Sequence, residues 1–253
     1  MTLYTETAGN GPDLVLIHGW GLHSGIWDGF APLLEAGFRV TRVDLPGHGR
    51  SSWQGSTSLD AWVDAVLTAV PLPAAWLGWS LGGLVAMRAA LMAPGQVTAL
   101  ITLASSPCFV RRRGWQSAML PSLLETFSAE LQQDYGRTLN RFLSLQVRGS
   151  EHASTVLKTL RSTLLAHGEP DAAALSAGLE MLRTTDLRNV LGEIDCGTLL
   201  LMGERDTLVP QRAGSETAAL LTGAQLAVIG GAGHAPFLAA PQIVAERINN
   251  FLS

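Results

Sequence analysis

Ser80 stands in Gly78-Trp79-Ser80-Leu81-Gly82-Gly83, directly after the apolar run Ala75–Gly78 and before the apolar stretch Gly83–Met92. A strand that turns sharply into a helix brings the backbone around its serine close to its neighbours, which requires glycine two residues before and two after. Such a turn exposes the Ser80 hydroxyl and aims the Leu81 N–H at the same space. The pentapeptide alone also fits a plain glycine-rich turn; the flanking strand and helix give it a chemical meaning. A serine hydroxyl is a poor nucleophile until a base accepts its proton. Of the histidines at 18, 23, 48, 152, 167 and 234, His234 lies in a glycine-rich loop, Gly230-Gly231-Ala232-Gly233-His234, after one apolar run and before the final helix. The imidazole in turn needs an acid that fixes its tautomer. Asp206, just past the strand ending at Met202, is the preferred candidate, with Glu204 and Asp195 as alternatives. Asp44 also ends a strand, but it precedes the serine and suits a loop-shaping role. The oxyanion of acyl transfer calls for two N–H donors, each worth about a hundred- to a thousandfold in rate. Leu81 supplies one. Trp20, in His18-Gly19-Trp20-Gly21, is expected to supply the other; its indole then walls an acyl pocket or is simply a core aromatic.

These residues need a scaffold that gathers strand ends. Strand patterns, most of them apolar, at Leu14–Ile17, Arg39–Val43, Ala75–Gly78, Val97–Ala104, Thr198–Met202 and Gln225–Ile229 alternate with helical patterns. Short apolar strands separated by helices predict a buried, mostly parallel sheet with helices on both faces. Ligands of such sheets lie beyond the carboxyl ends of the strands, where His18, Asp44, Ser80, Ser105 and Asp206 fall. From about Phe109 to Thr185 the alternation stops, and only helical patterns such as Leu120–Gln133 and Tyr135–Gln146 remain. That stretch reads as a helical cap inserted into the sheet: residues 109–185 form the cap, and 1–108 with 186–253 the core.

Charge separates the two parts. The cap stretch has nine basic and seven acidic residues, about +2, while the remainder has eight and fourteen, so the core carries −6 of a chain whose net charge is −4. Within the cap, Arg137, Arg141, Arg148, Lys158 and Arg161 face a single acid, Glu151, between residues 137 and 161. The first three share a face if their helix runs on, and such a face suits an acidic partner or a phosphate better than plain solvation. Arg111-Arg112-Arg113 reads as a solvated loop.

The 253 residues, 47% hydrophobic and 15% charged, exclude intrinsic disorder, and the acidic balance argues against general nucleic-acid binding. Two cysteines cannot build a disulfide framework or a four-ligand zinc site. The opening residues lack a secretory signal, so the expectation is a cytoplasmic protein. Ala65–Met87 carries no formal charge and is long enough to span a bilayer, but Pro71, Pro73, Gly78, Gly82 and Gly83 interrupt it, so no membrane association is expected.

Together, His18-Gly19-Trp20, Asp44-x-x-Gly47-x-Gly49-x-Ser51, the serine turn, Gly203-x-x-Asp206 and Gly233-His234 resemble the α/β-hydrolase superfamily, whose triad also runs serine, acid, histidine along the chain. A closer resemblance is to the carboxylesterases of biotin synthesis that demethylate pimeloyl-acyl carrier protein methyl ester. It is carried by Leu16–Leu22, Trp76–Ala86, Ala104–Phe109 and Arg141–Gln146. The resemblance implies an α/β-hydrolase fold in which Ser80 attacks the methyl ester, His234 passes the proton to methanol, and water frees the acyl group. It implies that Trp20 and Leu81 hold the oxyanion. It implies further that Phe142, Leu143, Ser144, Leu145 and Gln146 line an acyl channel, and that Arg137, Arg141, Lys158 and Arg161 grip an acyl carrier protein. Ser154 and Lys158 depart from the family's basic pattern. No cofactor or metal is implied, small esters are expected to serve as surrogate substrates, and a monomer is expected.

Two other readings compete. One is a broad carboxylesterase or carbon–carbon bond hydrolase of the same fold. The other is a ligand-binding relative without catalysis, which a broken triad would favour; here all three positions are filled.

Overall fold

The expected strands form. In the computed structural model, which describes residues 2–164 and 166–253, they are β2 (Asp13–Ile17), β3 (Arg39–Val43), β4 (Ala74–Trp79), β5 (Val97–Leu103), β6 (Gly197–Gly203) and β7 (Gln225–Ile229). These six pair in parallel with one another, and β4 at the centre is buried along its whole length. A strand buried on both faces must be apolar throughout, as Ala-Ala-Trp-Leu-Gly-Trp is. One strand has no such signature: β1 (Thr5–Ala8) pairs antiparallel with β3 at the edge, completing the order β1-β3-β2-β4-β5-β6-β7. Met1 and Leu165, which fall within the expected core and cap spans, lie outside the described residues.

Helices α1 (Pro32–Glu35), α2 (Leu59–Ala69) and α3 (Leu81–Met92) alternate with the first strands. Buried along most of its length, α3 packs on β2, β4 and β5, and α2 packs against α3. The uncharged stretch Ala65–Met87 is therefore the end of α2, a turn, β4 and the start of α3; among the described residues no helix is long and apolar enough to cross a membrane.

Between β5 and β6 lie α4 (Pro121–Gln133), α5 (Tyr135–Gln146), α6 (Ala153–Leu164) and α7 (Ala172–Thr184). Each buries one apolar stripe, such as Leu124, Phe127 and Leu131 on α4 or Leu139, Phe142 and Leu143 on α5, and these join the sheet in one continuous apolar cluster. Asp134 caps α5 by accepting the Arg137 N–H, and Asp171 caps α7 through the N–H groups of Ala173 and Ala174. This helical stretch also meets the loop after β3 at Gly47, whose carbonyl accepts the Asp171 N–H at 2.8 Å. Gly47 has φ +72°, and a Cβ there would collide with Ala174. The chain closes with α8 (Gln211–Ala218), α9 (Pro236–Ala239) and α10 (Pro241–Leu252).

Two expectations need correction. Helix α5 ends at Gln146, and Gly149 adopts φ +80° just beyond it, so Arg148 does not continue the face of Arg137 and Arg141. Nor is the arginine triplet wholly solvated. Arg112 donates to the carbonyls of Arg183 and Thr184, tying the two crossings between the sheet and α4–α7 together.

Candidate active site

Ser80 links β4 to α3 with φ 54° and ψ −116°, a conformation that a non-glycine residue adopts only under constraint. Its N–H donates to the Leu103 carbonyl at 2.9 Å, and its own carbonyl accepts the Ser105 hydroxyl at 2.7 Å. The flanking glycines give the clearance. A Cβ on Gly78 would strike the Gly82 carbonyl, and one on Gly82 would strike the carbonyls of Ile17 and His18. The turn is thus pressed between its own helix and the end of β2, which forces Ser80 outward.

His234 is held by its backbone. Its carbonyl accepts the Trp79 indole N–H at 2.7 Å, so the residue beside Ser80 grips the loop of the histidine. Its N–H donates at 2.9 Å to the carbonyl of Gln146, one of the carbonyls that the end of α5 leaves without a helical partner. The ring places Nε2 2.9 Å from Ser80 Oγ and Nδ1 2.7 Å from Asp206 Oδ2. The other Asp206 oxygen accepts the N–H groups of Leu208 and Val209 at 2.8 and 3.0 Å, which fixes the carboxylate's rotation. All three side chains are buried. Asp206 is the carboxylate bonded to His234. Glu204 instead accepts the Gly231 N–H, and Asp195 is exposed ahead of β6, at the opposite end of that strand.

Leu81 directly follows Ser80, and Trp20 and Leu81 both lie against Gly178 of α7. Leu81 opens α3, so its N–H has no acceptor within the helix, and the Trp20 N–H has none among the described residues. The Trp20 indole N–H donates to the Leu175 carbonyl at 2.8 Å, and its ring meets Phe142 edge-on at 4.9 Å, as Phe127 does at 5.5 Å. Gly178 of α7 makes room: a Cβ there would lie 2.7 Å from the Trp20 ring. The loop carrying Trp20 is set by His18, whose Nδ1 donates to the Gly19 carbonyl while Nε2 accepts the Leu45 N–H at 2.9 Å. Burial, with His48 nearby, pushes the His18 pKa down to about 3, keeping it neutral. Asp44 shapes the loops as expected, accepting the N–H groups of Ser24 and Arg50.

The segment 142–146 divides. Phe142, Leu143 and Gln146 are buried and Leu145 is half-buried, but Ser144 is exposed and its hydroxyl bonds back to the Asn140 carbonyl. At 3.6 residues per turn, five consecutive helical residues cannot all face one channel. Arg137 and Arg141 stand one turn apart on α5, and Lys158 and Arg161 on α6, all exposed. Arg141 pairs with Glu130 and lies 5.4 Å from the Phe127 ring centre. With Glu130, Gln133, Asp134 and Thr138, the two α5 arginines line a surface groove of about 360 Å³. The Trp79–His234 bond has no signal in the sequence, because it joins residues 155 positions apart in the chain.

Comparison with known proteins agrees with this architecture. A family model described as alpha/beta hydrolase fold matches residues 12–241. Among solved structures, the chain is similar to an esterase from Exiguobacterium antarcticum, with TM-score 0.88 and 23% identity over 99% of this chain and 96% of that one. It is also similar to a hydrolase from Pseudomonas aeruginosa PA01, with TM-score 0.84 and 28% identity over 99% and 94%. In sequence it is 46% identical to the pimeloyl-[acyl-carrier protein] methyl ester esterase of Methylococcus capsulatus, over 100% of this chain and 99% of that protein. It is 45% identical to the esterase of the same name from Nitrosomonas europaea, over 95% and 96%. With identity of this extent along the whole chain, the protein belongs to the alpha/beta hydrolase fold family and, within it, to the family of these methyl ester esterases.

Proposed function

We propose that the protein is a serine carboxylesterase that hydrolyses the methyl ester of pimeloyl-acyl carrier protein to methanol and the free carboxylate, a step of biotin synthesis. The observation that carries this reading is the unbroken chain from Asp206 Oδ2 through His234 to Ser80 Oγ, at 2.7 and 2.9 Å. Ser80 Oγ attacks the ester carbonyl as His234 Nε2 takes its proton, and Asp206 holds Nδ1–H in place and stabilises the imidazolium. The N–H groups of Leu81 and Trp20 receive the oxyanion. His234 returns the proton to the methoxide, methanol leaves, and water attacks the acyl-enzyme by the same route. This chemistry is completed by side chains of one chain, which suits a monomer working in the cytoplasm.

In this reading residues 109–185 act as a cap over the core formed by 1–108 and 186–253. Phe142, Leu143, Leu145 and Gln146 flank the acyl chain beside Trp20, whereas Ser144 faces solvent. Arg137, Arg141, Lys158 and Arg161 form the basic face that receives the acidic carrier. The test is mass-spectrometric demethylation of pimeloyl-carrier protein methyl ester, with p-nitrophenyl butyrate alongside and Ser80→Ala as control. The expected result is demethylation that Ser80→Ala reduces by about a millionfold, the scale of serine triads. Hydrolysis of the small ester alone would leave a broad carboxylesterase.

A further inference from the structure

Arg205, next to Asp206, reaches out of the core. Its guanidinium donates to Glu151 Oε1 at 2.7 Å and to the Gly149 carbonyl at 3.3 Å, both in the connection between α5 and α6. Its backbone N–H donates at 2.8 Å to the Ala232 carbonyl, in the loop that carries His234. Glu151 reaches the same loop: its N–H donates to the Gly231 carbonyl at 3.0 Å. The Glu151 carboxylate also lies over Gly231, where a Cβ would come within 2.6 Å of it. Glu204 accepts the Gly231 N–H at 2.8 Å, and the His234 N–H ends on the Gln146 carbonyl at 2.9 Å. The loops bearing the acid and the base are thus both fastened to residues 146–151. Arg205–Glu151 is the ion pair that joins that segment to the loop of Asp206.

We propose that Arg205 and Glu151 are positioning residues, a clamp that sets the loop of Asp206 against the loop of His234. Their side chains are 45% and 55% exposed, so the pair adds little to global stability. What it holds is a separation to which hydrogen-bond geometry is sensitive, since a displacement of about 1 Å can cost roughly a hundredfold in rate. The inference rests on reading Ser80, His234 and Asp206 as the triad, and not on the identity of the ester.

The experiment compares Arg205→Ala, Glu151→Ala and the double variant of the full chain on p-nitrophenyl butyrate, with Ser80→Ala in the same series. Each single variant is expected to lower kcat by roughly five- to fiftyfold, with KM within about twofold and an unchanged melting midpoint. The double variant is expected to be no slower than the slower single one, because the pair acts as a unit. Arg205→Lys, which keeps the charge but not the fork, should fall between wild type and Arg205→Ala. Raising salt to about 1 M, which shortens the screening length to roughly 3 Å, should lower the wild-type kcat and leave that of Arg205→Ala unchanged. Single variants with kcat within about twofold of wild type, or a double variant whose losses multiply, would overturn the clamp. Wild-type turnover by Ser80→Ala would overturn the triad reading itself.

Discussion

Replacing Asp206 by asparagine separates the orientation of His234 from the packing around it. The Asp206 carboxylate uses one oxygen for the N–H groups of Leu208 and Val209 and the other for His234 Nδ1. An asparagine carbonyl can keep the first two bonds, but its amide then presents a donor to Nδ1. The imidazole answers with the tautomer that carries hydrogen on Nε2, the nitrogen 2.9 Å from Ser80 Oγ, and that nitrogen can no longer accept the serine proton. The expected loss in kcat is about 10⁴-fold, or ~5.4 kcal/mol at 1.36 kcal/mol per decade. Stability should change by no more than ~1 kcal/mol, which is about 2–4 °C in melting midpoint for a chain of this size. Asp206→Ala provides the contrast. It strands two buried N–H groups at ~1–3 kcal/mol each, so its midpoint should fall well below that of the asparagine variant. The assay is initial-rate hydrolysis of p-nitrophenyl butyrate together with thermal unfolding of all three proteins. Turnover by Asp206→Asn within about tenfold of wild type, or equal midpoints for the two variants, would refute the reasoning.

The surface and the buried histidines give further expectations. Arg141→Glu sets a carboxylate against Glu130 and removes one charge of the basic face. It should weaken carrier-bound substrate by at least about tenfold in kcat/KM while leaving p-nitrophenyl butyrate nearly unchanged, and equal effects on both would count against carrier docking there. Burial lowers His18 to about 3 and His48 to about 4, so the folded protein keeps them neutral while the unfolded chain protonates them below about 6.5. Their contribution is therefore complete above pH 6.5 and lost as pH falls toward those values, by up to ~1.4 kcal/mol per pH unit for each histidine. Urea unfolding between pH 7 and pH 5 should show this slope, and His18→Asn should flatten it; a wild-type stability that does not fall with acid would refute the assignment.

Strands β2, β4, β5 and β6 and helix α3 are legible because burial on both faces demands apolar runs, and the serine turn because its glycines answer a local steric demand; β3, Arg-Val-Thr-Arg-Val, and the partly exposed β7 carry that signature only weakly. The edge strand β1 is not legible: Thr-Glu-Thr-Ala carries two exposed residues and pairs on one side only, so its sequence has little to distinguish it from a loop. The place of Asp206 after β6 is legible in the sequence, but its selection over Glu204 depends on where the carboxylate points. Gly149, which adopts φ +80° past the end of α5, is the local mark in the sequence that the face of Arg137 and Arg141 stops short of Arg148. The facing of Ser144 depends on helical phase, which a motif quoted as a contiguous run conceals. The hold of Trp79 on His234 spans 155 residues and that of Arg205 on Glu151 spans 54, separations at which neither partner marks the other.

The edge-on contact of Trp20 with Phe142 bears on how this scaffold can be rebuilt. Trp20 is 1% exposed and Leu81 is fully buried, yet one lies in the loop after β2 and the other opens α3, both at the end of the sheet, where a bare sheet would leave them in water. Their dry environment is borrowed from α5 and α7, through Phe142, the Leu175 carbonyl and the notch at Gly178. Excising α4–α7 would therefore not yield a minimal hydrolase but a sheet with an adhesive apolar floor. A chimaera that exchanges these helices with those of a relative must carry a matching notch and aromatic partner for Trp20, or change Trp20 along with them.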